Sequence, residues 1–172
     1  AKQAGVSHAA PYAHFKDKQA LIAAISTEGH LQIHKKISAI IEEFSDDPLQ
    51  QLIETAYAYL DFGLNEADLF RITFSGVVEQ ERDYPALVDI AHKNFDMIRQ
   101  IAAACREGGI FNTAPDELLA QSLWGAVHGL ISLLQQGQVS SSVLDHYTPQ
   151  HLLLFTLDQI TKVNIDQNKF LP

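Results

Sequence analysis

The residue types with the clearest chemistry lie near the start of the chain, in Ala4-Gly5-Val6-Ser7-His8-Ala9-Ala10-Pro11-Tyr12-Ala13-His14-Phe15-Lys16-Asp17-Lys18. Gly5 allows a tight turn, and the Ser7 side chain can cap a short helix over 8–15. Pro11 falls in or just after the first turn of that helix, where its missing N–H costs little. Small Ala9 and Ala10 let the helix start come close to a surface, and Tyr12, one turn on, can reach a base edge or a phosphate. Lys18 opens the following helix, where free backbone N–H groups and an ammonium together favour a phosphate. A turn, a short helix with small residues at its start and then a new helix is the layout of a helix-turn-helix reader of double-stranded DNA.

The net charge of −9 is unpromising for a nucleic-acid ligand until its distribution is considered. Residues 1–36 carry Lys2, Lys16, Lys18, Lys35 and Lys36 against Asp17 and Glu28, a net of +3, which leaves −12 on the remainder. A basic end on an acidic body suits contact with phosphates at one end only.

Other chemistries find less support. His30 and His34 stand one helical turn apart, yet Leu31 occupies the position where a zincin motif needs glutamate, and no third ligand is spaced to join them. The pair reads as solvated or partly packed, and no metal is expected. Glu79, Glu81 and Asp83 read as a solvated turn. Cys105 has no second cysteine to pair with and follows three alanines, as a core thiol does. There is no phosphate-binding glycine loop, nucleophile elbow or Glu-x-x-His pair, so neither enzyme activity nor a cofactor is expected. The rival classes are a helical-bundle enzyme and a helical adaptor that does not bind DNA. A gel shift with the DNA upstream of the gene separates them from a regulator.

The elements that position these residues are helices throughout, an all-α chain. Glycine and proline are few, and alternation of the strand type is scarce. One long helix is expected over 17–44, with Leu21, Ile22, Ile25, Ile33, Ile37, Ile40, Ile41 and Phe44 along one face. Further helices are expected over 48–63, 66–80, 85–107, 116–136 and 149–164. Their starts are marked by Pro48, Pro85, Pro115 and Pro149, and stops by Gly108-Gly109 and Gly137. The stretch 118–134 is the longest uncharged apolar run. It is slightly short for a bilayer and holds Gln121, Ser122, His128 and Ser132, so it reads as a buried helix with no membrane partner. With no signal peptide and a single cysteine, the expected location is the cytoplasm.

The last two major helices are apolar on nearly every side and need cover that so short a chain does not supply. A second copy is the expected cover, through Gly125, Gly129, Leu153 and Phe155, with the two glycines admitting a close helix approach. Phe62, Phe70, Phe74, Phe95, Met97 and Trp124 lie on body helices at spacings that suit an apolar cavity, and little buried charge accompanies them. A small apolar or aromatic effector is therefore expected.

The segment from Ala4 to Lys18 resembles the signature of tetracycline-repressor (TetR) family regulators: Ala-Gly-Val-Ser, a following Tyr, a His-Phe pair and a Lys at the next helix start. Leu123-Trp124-Gly125-Ala126-Val127-His128-Gly129-Leu130 is similar to the Trp…His-Gly core of the WHG-type C-terminal domain in one branch of that family. Leu69-Phe70-Arg71-Ile72-Thr73-Phe74 resembles the sixth helix of the same branch. The resemblance implies the rest of a DNA-binding head over 1–24 and a helical effector-binding and dimerisation body over 25–172. It implies a homodimeric repressor released from its operator by a small molecule in the body, with His128 beside the aromatic residues of the effector site. Carried over by position, His8, Ala9 and Tyr12 face base edges, His14 and Lys18 face phosphates, and Ser7 caps or contacts a phosphate. Ala10 and Ala13 depart from the pattern, since alanine has no donor for the phosphate contacts often made there. The family pattern also has a first helix ahead of Ala1, without which weak DNA binding is expected.

Overall fold

The computed structural model describes residues 13–76, 78 and 81–171. The expected short helix over 8–15 lies almost wholly outside them. Within the described residues the chain is all-α. The elements are α1 (Lys18–Glu43), α2 (Pro48–Asn65), α3 (Ala67–Thr73), a 3-10 turn at Glu81–Asp83, α4 (Pro85–Glu107), α5 (Asp116–Gln135), α6 (Ser141–Leu144), α7 (Pro149–Ile160) and α8 (Gln167–Phe170).

Local chemistry sets the boundaries. The Asp17 carboxylate accepts from Ala20 N at 2.8 Å and opens α1, and Asp47 does the same for Gln50 N at 3.0 Å before α2. Thr148 caps α7 through His151 N, and Pro48, Pro85 and Pro149 occupy first turns. Two expected helices are shorter than the sequence indicates. The one placed over 66–80 ends at Thr73, where Ser75 Oγ donates to Ile72 O at 2.8 Å and Gly76 turns the chain at φ +64°. The one placed over 149–164 ends at Ile160. Beyond it Lys162 N donates to Ile110 O at 2.7 Å and Ile165 N to Asp158 Oδ1 at 2.8 Å, turning the tail back over the body.

Central α2 packs against α1, α3, α4, α5 and α7, while α1 also packs on α3 and α4, and α5 on α4 and α7. The core between them includes Ile53, Leu60, Phe62, Ile131, Leu153, Leu154 and Leu157, all fully buried. Leu153, expected at a subunit interface, is thus covered by its own chain, because the inward face of α7 runs through Leu153, Leu154 and Leu157. Two glycines mark the closest helix approaches: a Cβ on Gly29 would collide with Thr73 of α3, and one on Gly63 with Ile131 of α5.

Helix α5 turns only Ala120, Leu123, Val127 and Ile131 inward. It is the one described helix long and apolar enough by length and composition to cross a membrane, and 22% of that stretch is buried. Leu118, Trp124 and Leu133 remain 60%, 38% and 45% exposed, with Phe155 of α7 at 57%. Gly125 and Gly129 have no atom of the chain near where a Cβ would stand.

Candidate ligand-binding cavity

A cavity of about 360 Å³ lies between α1, α2, α4 and α5, with Phe74 and Gly76 closing one side and Leu157 of α7 behind. That volume is at the small end of ligand sites. Its wall is built by helix spacing. His30, Ile33 and Ile37 recur along one face of α1, and Leu52, Thr55, Ala56 and Tyr59 along one face of α2. Ala91, Asn94, Phe95, Ile98 and Ile101 do so on α4, and Leu123, Trp124 and Val127 on α5. No Asp, Glu, Lys or Arg is among the lining residues.

Two hydrogen-bonded chains run through this wall. In the first, Asn94 Nδ2 donates to the His30 carbonyl oxygen at 2.9 Å, which fixes the amide orientation because that oxygen can only accept. Asn94 Oδ1 then faces His34 Nδ1 at 2.8 Å, so that nitrogen carries the proton. The same amide nitrogen lies 3.3 Å from His30 Nδ1, which therefore accepts and leaves the His30 proton on Nε2. Burial lowers the His30 pKa to about 4, so the ring is neutral at physiological pH. The histidine pair is thus a bolt between α1 and α4.

In the second chain, Trp124 Nε1, a donor only, gives its proton to Tyr59 Oη at 3.0 Å. The Tyr59 hydroxyl accordingly donates to His128 Nδ1 at 2.9 Å. Burial holds the Tyr59 phenol well above its ordinary pKa and His128 below its own, so both groups are neutral. Around them the aromatic rings interlock. Phe74 meets His30 edge-on at 5.1 Å and Tyr59 at 5.5 Å, and His128 stacks on Phe70 at 5.2 Å.

Of the residues expected at an effector site, Phe74, Phe95 and Trp124 line the cavity. Phe62 and Phe70 are buried at 1% and 2% exposure and, with His128, pack behind the wall; none of the three is a lining residue. Met97 packs against the core outside the lining. The polar lining residues His30, Thr55, Tyr59, Thr73 and Asn94 were not expected there. The one-turn spacing of His30 and His34 was visible, but nothing in the sequence pointed to Asn94 as the group between them. Ser7, His8, Ala9 and Tyr12 lie outside the described residues. Exposed His14 sits in the turn before α1, and exposed Lys18 is its first residue.

A family model described as "Tetracyclin repressor-like, C-terminal domain" matches residues 52–155, well over half of the chain. No curated relative matches the sequence. A solved structure described as "Structure of a protein with unknown function from Rhodococcus sp. RHA1" is 23% identical with a TM-score of 0.71. The likeness covers 92% of this chain and 79% of that one, and it speaks for the fold alone. The cavity residues from Leu52 to Val127 fall inside the matched segment, and the chain belongs to the tetracyclin repressor-like C-terminal domain family of transcription regulators.

Proposed function

We propose that the protein is a transcriptional repressor that leaves its operator when a small, uncharged, largely apolar molecule occupies the cavity. On this reading residues 1–24 complete a helix-turn-helix head, with Ser7, His8, Ala9, Tyr12, His14 and Lys18 at the DNA, and residues 25–172 form the effector-binding body. The observation that carries it is the continuity of α1. One unbroken helix holds Lys18 at its start and His30, Ile33 and Ile37 in the cavity wall. The under-covered faces of α5 and α7, with Phe155 exposed and open space at Gly125 and Gly129, support a homodimer. A dimer sets two reading helices about 34–36 Å apart, the spacing of successive major grooves.

An effector lowers DNA affinity only by binding the DNA-incompetent arrangement more tightly, and the coupling is reciprocal. The test uses the full-length protein and the DNA upstream of its gene. Candidate apolar compounds are titrated while Trp124 fluorescence and operator affinity are both followed. The expected result is that a compound quenching or shifting Trp124 weakens DNA binding by the factor by which DNA weakens the compound. A natural inducer bound at the cavity that leaves operator affinity unaltered defeats the reading. Lys18→Ala should weaken binding to all sequences alike and lower the salt slope by about one; no change in either would remove Lys18 from the phosphate.

A further inference from the structure

Two polar groups in the cavity wall have no hydrogen-bond partner among the described residues. Thr55 is 5% exposed, and its Oγ1 is fully buried without a hydrogen bond. Three other threonines on or beside helices spend their hydroxyls on the carbonyl one turn back: Thr27 on Ala23 O at 2.8 Å, Thr73 on Leu69 O at 2.8 Å and Thr156 on Leu152 O at 2.7 Å. Thr55 makes no such bond, and it lines the cavity. A buried hydroxyl left unsatisfied is costly, so a native protein carries one for a reason. The second group is the Nε2–H of His30. Asn94 occupies Nδ1, and no described group accepts from the other ring nitrogen, on a residue that is 8% exposed and also lines the cavity.

Their separation follows from the packing of α1 on α2. Lys36 pairs with Asp61, and Gln51 Nε2 donates to Ile41 O, so the two helices run antiparallel with Thr55 level with the stretch of α1 beyond Ile37. His30 lies two to three turns away along α1, roughly 11–16 Å at 5.4 Å per turn. Between the two levels stand Ile33 and Ile37 of α1 and the ring of Tyr59, whose hydroxyl is taken up by Trp124 and His128, and the lining also holds the apolar Phe74 and Phe95. At about 30 Å³ for a water-sized group, the cavity takes roughly a dozen non-hydrogen atoms.

We propose that the cavity binds an uncharged, elongated molecule with an apolar middle and a hydrogen-bonding oxygen at each end. One oxygen, a hydroxyl, ether or carbonyl, accepts from His30 Nε2–H. The other is held by Thr55 Oγ1, which can donate to a carbonyl or accept from a hydroxyl. An anionic end group is disfavoured because the lining has no cationic residue and His30 is held neutral by its burial among Phe74 and Asn94. The inference deepens the effector reading above and rests on the cavity being the effector site.

The test is a double cycle of ligand and protein with α,ω-octanediol and octanol as probes, on the wild-type chain and on Thr55→Val, followed by calorimetry and Trp124 fluorescence. Valine keeps the shape of threonine and removes its hydroxyl. The expected result is that the ratio of diol to octanol affinity falls roughly five- to tenfold in Thr55→Val. Unliganded Thr55→Val should unfold at a higher denaturant concentration than wild type, which separates a ligand contact from a structural one. Octanoate should bind at least tenfold more weakly than octanol at neutral pH. An unchanged diol-to-octanol ratio overturns the proposal while leaving the cavity as a ligand site, as does octanoate binding more tightly than octanol with uptake of a proton. If no probe binds and Trp124 is silent throughout, the cavity reading itself fails and the proposal fails with it.

Discussion

Gly29→Ala sets two well-measured effects against each other. Alanine is favoured over glycine in a helix interior by about 1 kcal/mol, and Gly29 lies deep inside α1. An added Cβ, however, would collide with Thr73 Oγ1 and stand 3.1 Å from Thr73 Cβ and 3.2 Å from its Cγ2. Rotating the threonine moves Oγ1 away and forfeits its bond to Leu69 O, but the Cβ stays where it is. Relief therefore requires the end of α3 to retreat, and overpacking of this kind costs about 1–3 kcal/mol. The net expectation is a loss of about 1 kcal/mol despite the better helix former. Phe74, the next residue, would be carried away from His30 and Tyr59, so octanol binding should weaken in the same variant. Urea unfolding followed by circular dichroism on Gly29→Ala, Thr73→Ala and the double variant measures the clash as a coupling energy. Gly29→Ala matching or exceeding wild-type stability, with no coupling to Thr73→Ala, would refute the close approach of α1 to α3.

Three further expectations follow from the same geometry. His30 is depressed from 6.5 to about 4 by burial, so on acidification the unfolded chain takes up a proton before the folded one. Its contribution to stability is complete above pH 6.5 and declines as pH falls toward 4, by up to about 3 kcal/mol, with lowered His128 acting in the same direction; urea midpoints that stay flat across that window would contradict the buried neutral ring. A Cβ at Gly129 meets nothing of the described chain, so Gly129→Leu should retain helicity while sedimentation shifts toward monomer, an interface cost of about 1–3 kcal/mol; a fully dimeric variant would place the subunit contact elsewhere. Cys105 is fully buried, donates to Pro48 O at 3.2 Å and has its pKa pushed up to about 12. Native protein should therefore resist thiol reagents at neutral pH and react on unfolding; rapid native labelling would show that the α2–α4 contact opens.

The legible parts of this fold are those governed by local chemistry. Asp17, Asp47 and Thr148 are capping residues next to helix starts, and Pro48, Pro85 and Pro149 can occupy first turns without losing a bond. The starts of α1, α2, α4 and α7 could therefore be read from them. Ends set by distant contacts could not. Helix α7 stops where Ile110 O and the Asp158 carboxylate collect the backbone N–H groups of the returning tail. The buried stripe of α1 differs from the expected one for a related reason. Its first half turns Ala23, Ser26 and Gly29 inward and leaves Leu21, Ile22 and Ile25 half-buried, because Val78 and Leu87 cover Ala23 and α3 lies so close to Ser26 and Gly29 that only small residues fit. An apolar count favours the larger residues there, whereas the contact selects for size. The aromatic half of the site was visible through Phe74, Phe95 and Trp124. The polar half depended on Asn94 reaching across from α4 and on a threonine that fails to bond its own helix, neither of which leaves a pattern in the sequence.

The placement of the polar groups bears on how a ligand could move α1. Apolar contacts are non-directional, so a purely greasy ligand would fill the cavity with little preference for one position of α1 over another. A hydrogen bond to His30 Nε2 is directional, and His30 is bolted through Asn94 to α4, while Thr55 belongs to α2. A molecule holding both ends would fix the distance from α1 to α2 at the level of the cavity. From His30 to Lys18 the helix extends another twelve residues, about 18 Å at 1.5 Å per residue. A tilt of about 5° over that arm displaces the head end by roughly 1.5 Å, and in a dimer the two displacements act together on one half-site spacing. On the proposed reading, ligand specificity and DNA release would then have one physical source. The end groups that select an uncharged ligand of one length would also supply the difference in affinity between two positions of α1, without which no effector could shift the DNA equilibrium.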